Sequence, residues 1–280
     1  MKKIAIVTDS TVDLSVEEAK NYNVEIVPLS ISLNGNVYTD RVDITPSEFI
    51  AKMKESKELP KSSQPPVGLF LEKYEGLLEQ GFEVLSIHMA SNLSGTVRAA
   101  EQAAQMASGP VTVVDSKFIS KGLAFQVLEA AQMAEKGHTI SDILERVNDI
   151  KNKTKLFVVV DTLENLVKGG RIGRGKALIG SLLNIKPIAV LEDGQYTPVK
   201  KVRSYSQATS YLVKQFLEDV KGKTVKGAAL VHADGLEFAK TIKAKLDELQ
   251  VFQPITIEDT TPIISTHTGP GAIAFIYFAE

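Results

Sequence analysis

Two hydroxyls flank a glycine at Ser94-Gly95-Thr96, between the apolar run FEVLSIHMA and the alanine-rich run VRAAEQAAQMA. The first run reads as a strand and the second as a helix, so the three residues belong at a helix N-terminus. There the first backbone N–H groups have no intrahelical partner and the helix dipole favours negative charge, so a small anion can dock on them. Two further segments offer hydrogen-bond donors. Ser62 and Ser63 open SSQPPVG, whose paired prolines fix an extended turn and make the segment a loop. His267 and Thr268 precede Gly-Pro-Gly in STHTGPGAIAF, where glycine lets a ligand come close to the backbone. Each segment also has an ordinary structural explanation, because serine before proline is common at helix starts and a histidine beside a turn is most often structural or exposed.

Other patterns suggest other chemistry. TDSTVDL follows the first strand, where open α/β sheets place their ligand crevice. Its Asp9 and Asp13 suit acid catalysis or metal ligation, and equally suit capping of the following loop and helix. The sequence supplies no carboxylate and histidine cluster to complete a metal site. GRIGRGKA, from Gly170 to Ala177, matches G-x-x-x-x-G-K but has alanine where a P-loop holds magnesium with Ser or Thr. The preceding DTLENLVK has the helical spacing of Leu163, Leu166 and Val167 rather than the pattern of a strand, so the glycines read as a helix C-cap and a tight turn. Arg171, Arg174 and Lys176 would present charge there. An enzymatic alternative takes Ser94 as nucleophile and His267 as its base, for an acyl or phosphoryl transferase or a hydrolase. NLSGT lacks the G-x-S-x-G elbow that exposes a hydrolase serine.

The elements that must position these residues alternate between strand and helix. KIAIVTD, a helix opened by the capping box Ser15-x-x-Glu18, and VEIVPLSISL begin an α/β pattern. Asn34-Gly35 marks a small hairpin insertion, and Thr45-x-x-Glu48 with Pro46 opens another helix. After the alanine-rich helix come the strand PVTVVDS and the helices AFQVLEAAQMAEKG and SDILERVNDIKNK. The polar NKTK at 152–155 divides the chain into an N-terminal Rossmann-like α/β domain, 1–153, and a C-terminal α/β domain, 154–280. The first would hold a mostly parallel sheet and the second would be a mixed α/β sandwich. The second contains a hairpin around Asp193-Gly194, two long helices flanking GAALVHA, and the closing strand PGAIAFIYFAE.

At 280 residues and 44% hydrophobic content the chain can bury a large core. A net charge of -2 removes the footprint of a protein that mainly binds nucleic acid. With no cysteine there are no disulfides and no thiolate metal sites. The N-terminal apolar run breaks at Asp9, too early for a signal peptide, and no run reaches membrane-spanning length. These features lead to the expectation of a soluble cytoplasmic protein with no stable membrane insertion.

Five motifs in order, TDSTVDLS, SSQPPVG, SNLSGT, LVKGGRI and HTGPGAIA, resemble the DegV family of fatty-acid-binding proteins across nearly the whole sequence. The resemblance implies two α/β domains with a long-chain fatty acid of the C16 to C18 class, such as palmitate, in a tunnel. It implies no cofactor and no activity of the chain's own. By resemblance to FakB-type carriers, the partner is a dihydroxyacetone-kinase-like fatty-acid kinase subunit that converts the presented acid to an acyl phosphate. Matched residue by residue, the family's carboxylate-binding hydroxyls fall on Ser62 and Ser94 and its histidine on His267. Ser63, Gly95, Thr96, Thr268 and Arg171 complete the expected ligand-binding set. The sequence departs from the family pattern at Ser62, where threonine is common, at Arg98-Ala99, and at Ala274, where glycine is frequent. The basic run VKKVRS, with Lys200, Lys201 and Arg203, and the turn carrying Arg171 and Arg174 are the expected docking face for the kinase.

Overall fold

The computed structural model describes residues 3–178, 185–250 and 254–280. The chain begins with β1 (Ile4–Asp9), α1 (Val16–Asn21), β2 (Val24–Val27), β3 (Ser30–Leu33), β4 (Asn36–Thr39), α2 (Pro46–Glu55) and β5 (Lys61–Ser63). It continues through α3 (Val67–Glu79), β6 (Glu83–His88), α4 (Thr96–Met106), β7 (Val111–Asp115), α5 (Ser120–Glu135) and α6 (Ile140–Lys153). Then follow β8 (Thr154–Val159), α7 (Glu164–Lys168), a 3-10 helix (Gly173–Leu178), β9 (Lys186–Glu192) and β10 (Gln195–Val202). The last elements are α8 (Tyr205–Asp219), β11 (Val225–Ala233), α9 (Leu236–Leu249), β12 (Thr256–Asp259), α10 (Pro262–Thr268) and β13 (Ala272–Ala279).

These elements form the expected α/β fold. One sheet has the order β2-β1-β6-β7 and is parallel throughout. Parallel strands covered on both faces must be apolar at consecutive positions, which explains IAIV in β1. Ile6 and Leu85 pack under α5 and α6 with Leu123, Val127 and Ile143, while Val7 and Val84 pack on the other face with Phe70, Tyr74 and Ala100. A second sheet has the order β10-β9-β8-β13-β11-β12, antiparallel except for the β11–β12 pair. Its Phe157, Leu230, Phe275 and Tyr277 face α8 and α9 around Phe216 and Ile242. Its other face, with Leu156, Val231 and Ile276, looks toward Phe118 of the first half.

Local signals account for most boundaries. Ser15 and Thr45 form reciprocal capping boxes with Glu18 and Glu48, as their spacing predicts. The hairpin at Asn34-Gly35 has φ of 52° and 76° at its two turn residues, the left-handed pair that this dipeptide favours. Two expectations change. VEIVPLSISL is two strands, because the chain leaves the parallel sheet at Pro28 and β3 enters a separate antiparallel sheet of order β4-β3-β5. SSQPPVG is not all loop, since Ser62 and Ser63 pair with Ile31 and Ser30 of β3. His267 stands near the end of a helix, α10, just before the Gly-Pro-Gly turn, as its place in the sequence predicts. At NKTK there is no linker, because α6 ends at Lys153 and β8 starts at Thr154.

The two halves are joined by buried carboxylates. Asp13 accepts hydrogen bonds from the Ser120 hydroxyl, from Thr260 Oγ1 at 3.0 Å and from the Thr261 N–H at 3.1 Å. Asp40 Oδ1 accepts from the Ile263 N–H at 3.2 Å, and its Oδ2 has no partner. Burial pushes the Asp13 carboxyl up to about 6 and that of Asp40 up to about 7. For both groups desolvation outweighs the donors that favour the ionised form. A raised folded-state pKa means that the native state holds the proton between the ordinary value of 3.8 and about 7. The associated stability is therefore complete below pH ~4 and is lost as pH rises to about 7. Urea unfolding at pH steps from 4 to 8 should show Asp40→Asn losing a negative slope of up to about 1.4 kcal/mol per pH unit relative to the unsubstituted protein. Identical slopes would show that Asp40 titrates normally.

Candidate functional site

A cavity of about 670 Å³, its open mouth included, lies between the sheets and is lined mainly by apolar side chains such as Leu29, Met89, Leu156 and Ile264. Ser62, Ser94, Arg171, His267 and Thr268 also line it. Four of the five sequence motifs thus contribute to one wall system, and the fifth contributes Thr11.

Pairing of β5 with β3 aligns Ser62 with Ile31, and α10 brings His267 alongside. Ser62 Oγ and His267 Nε2 are 2.6 Å apart although 205 positions separate them in the chain. Burial, with the Arg171 cation nearby, pushes the imidazole down to about 4, so the ring is neutral at pH 7. Its Nδ1 is buried without a partner and lies against Gly169. A proton on Nδ1 would be a buried unpaired donor, so the favoured tautomer carries it on Nε2 and donates to Ser62 Oγ. That leaves the Ser62 hydroxyl proton free to donate elsewhere.

Ser94 Oγ lies 2.9 Å from Thr96 Oγ1 and accepts from the Thr96 N–H at 3.3 Å, at the start of α4. Thr96 is fully buried beneath it and does not line the cavity. Gly95 is covered by the Gln64 side-chain amide, which brings the SSQP and SNLSG loops together. Arg171 donates to the carbonyls of Leu93 and Gly169, tying the LVKGGRI turn to the SNLSG loop. Its guanidinium is half-buried and lines the cavity. Thr268 spends its hydroxyl on the Ile264 carbonyl at 3.2 Å. Ser63, next to Ser62 on β5, points the opposite way and is exposed outside the cavity.

The enzymatic pairing of Ser94 with His267 is not formed, because the histidine faces Ser62. A different serine, histidine and aspartate do line up: Ser86 Oγ is 2.7 Å from His88 Nε2, and His88 Nδ1 is 3.1 Å from Asp9 Oδ2. All three are wholly buried and Tyr74 occupies the serine hydroxyl, so the array is structural. Asp9 also accepts from the Met89 N–H and from Thr11, and both of those residues line the cavity. Among the described residues no cluster of three or more metal-ligating side chains occurs.

Sequence reasoning missed Thr11, Met89 and Tyr196 as wall residues. Tyr196 is buried with its hydroxyl unpartnered, and burial raises its pKa. Its position next to an ordinary hairpin turn carried no signal. LVKGGRI gains a reason: a Cβ at Gly169 would sit 2.5 Å from His267 Nδ1 and 2.8 Å from the Asn165 carbonyl oxygen. Gly169→Ala should therefore displace the imidazole and destabilise the fold by about 1–3 kcal/mol, measured by chemical denaturation. Unchanged stability would mean that the ring has room to move.

Comparison with known proteins follows from this arrangement. Residues 3–280 match the family described as "Uncharacterised protein, DegV family". A DegV domain-containing protein of Listeria monocytogenes is 47% identical over 281 residues, covering all of both chains. The structure superposes on that of a DegV family protein from Thermus thermophilus, reported for its fatty acid binding, with a TM-score of 0.94 and 32% identity over the full length of both. It also superposes on Bacillus subtilis DegV, described as a fatty acid binding protein, with a TM-score of 0.90 and 30% identity, covering 99% of this chain and 100% of that one. An apolar cavity between two α/β sheets, with Ser62 and His267 in contact at its wall, is thus set in a chain that belongs to the DegV family.

Proposed function

We propose that the chain is a carrier that binds a long-chain fatty acid, burying the acyl tail in the cavity and holding the carboxylate with neutral donors. The observation that carries this reading is the division of the cavity wall: most of it is apolar, and Ser62, Ser94 and His267 are gathered among its few polar side chains. The Ser62 and Ser94 hydroxyls donate to the carboxylate oxygens, while the Thr96 N–H is engaged by Ser94 Oγ. With His267 neutral and Arg171 engaged by carbonyls, no full counter-charge is committed to the ligand. That suits reversible release, whereas a bidentate arginine would hold the head group harder.

The tail supplies most of the affinity, at roughly 0.8 kcal/mol per buried methylene, offset by the cost of ordering a flexible chain. Apolar side chains such as Leu29, Met89, Leu156 and Ile264 give the cavity the mostly carbon wall usual for small-molecule sites. Acids of the C16 to C18 class suit it. Similarity to DegV proteins described as fatty acid binding, in Thermus thermophilus and Bacillus subtilis, supports the same ligand here. The reading includes no catalysis: His267 has no orienting partner on Nδ1 and its depressed pKa makes it a weak base.

As a carrier in the cytoplasm, the chain would present the carboxylate to a dihydroxyacetone-kinase-like fatty-acid kinase subunit. Lys200, Lys201 and Arg203 are exposed on and just beyond β10, the edge strand of the larger sheet, and form the docking face in this reading. Arg174 is paired with Glu192 at 2.7 Å and contributes less free charge.

Native mass spectrometry of purified protein, followed by lipid extraction, should reveal one long-chain fatty acid per chain. A folded protein that carries none and refuses added acid would overturn the reading. Ser62→Ala and Ser94→Ala should each weaken fatty-acid binding by about 1–3 kcal/mol, read by titration calorimetry. Lys201→Glu with Arg203→Glu should leave that affinity unchanged and slow acyl-phosphate formation by the kinase at least several-fold. Undiminished phosphorylation would move the docking face elsewhere.

A further inference from the structure

A second, smaller void adjoins the first. The two share five wall residues, Ile119, Leu156, Val158, Ile264 and Thr268, which form the partition between them. None of Ser62, Ser94, Arg171 and His267 lines the second void, so it lies away from the polar end of the cavity.

The second void sits on the face of the larger sheet turned away from α8 and α9. Alternation along β13 puts Ala272 and Ala274 on that face, with Ile273 and Phe275 in the opposite core. In register, Ala274 is paired with Val158 of β8 and Val231 of β11, and Ala272 with Ala233. Three alanines among valines leave a hollow in an otherwise filled sheet. Ala274 keeps accessible surface although β13 is bonded on both sides in the middle of the sheet.

The hydroxyls around the void are engaged elsewhere. Ser120 and Thr260 donate to Asp13, and Thr268 donates to the Ile264 carbonyl. A buried water needs two to four polar partners, and an apolar void stays dry. His232 is the remaining polar side chain, its Nδ1 3.2 Å from Asp259 Oδ1, and the rest of the space, behind a partition of Leu156, Ile119, Ile264, Val158 and Thr268, is lined by carbon and suits the end of a hydrocarbon chain. Rotamer changes in the partition would join the two voids.

We propose that this hollow is the tail end of the ligand site and that Ala274 sets the longest acyl chain the protein accepts. The inference rests on the fatty-acid reading above. A larger side chain at 274 would fill the hollow and exclude the last methylenes, each contributing about fourfold to affinity. A glycine would extend it.

The test uses full-length protein stripped of lipid, with dissociation constants for dodecanoic, hexadecanoic and octadecanoic acids. Ala274→Leu should weaken octadecanoic acid at least tenfold while leaving dodecanoic acid within about twofold. Ala274→Gly should strengthen octadecanoic relative to dodecanoic acid, and it carries the test if the leucine variant does not fold. Equal changes for all three acids, or none, would overturn the role of Ala274 while leaving the fatty-acid reading intact. Failure of the unsubstituted protein to bind any of the acids would instead remove the reading on which the inference rests.

Discussion

The grip of Asp13 and Asp40 on the segment Thr260–Ile263 is the contact on which the site depends. A carboxyl buried between two halves of a chain is costly unless donors surround it. Asp13 obtains them from Ser120, Thr260 and the Thr261 backbone, and Asp40 from the Ile263 backbone. These bonds fix the start of α10, which has no side-chain cap of its own. Ile263, Ile264, His267 and Thr268 then face the cavity as consequences of one helix placement. TDSTVDL thus acts at a distance: Asp13 sets the helix, while Asp9 holds Thr11 and Met89 in the opposite wall.

Polar groups at the wall are arranged so that few of them are left over. Arg171 is occupied by two carbonyls and Thr268 by one. What remains are the Ser62 hydroxyl beside a neutral His267, the Ser94 hydroxyl and the unpartnered Tyr196 hydroxyl, in a cavity built mostly of carbon. Such a surface suits a ligand with one small anionic end and a long apolar body. In the proposed reading the head group would fix the orientation and the methylenes would supply the affinity.

Much of the local structure was legible in the sequence because it depends on neighbours within a few positions. Capping boxes at Ser15 and Thr45, the Asn34-Gly35 turn and the helix start at Ser94-Gly95-Thr96 all follow from side chains bonding nearby backbone. VEIVPLSISL misled because a continuous apolar run looks the same whether its halves join one sheet or two. Ser62 could not be seen as a strand residue, since β5 is three residues long and exists through pairing with β3. The helical state of PIISTHT was equally hidden, because Thr266 and Ser265 favour helix weakly and buried carboxylates from the other half fix its start.

The sequence by itself determined the α/β class, the hairpins, the helix start at Ser94-Gly95-Thr96 and, through the order of five motifs, the family. These depend on composition, periodicity and short spacings. Only the tertiary structure decided which polar residues meet. It put Ser62 rather than Ser94 against His267, turned Ser63 outward, committed Arg171 and Thr268 to carbonyls, and required Gly169 beneath the imidazole. The physical reason is that hydrogen-bond partners and close contacts are set by distance in space. Across 205 positions of chain, that distance is fixed by sheet register and buried carboxylates, which no local pattern encodes.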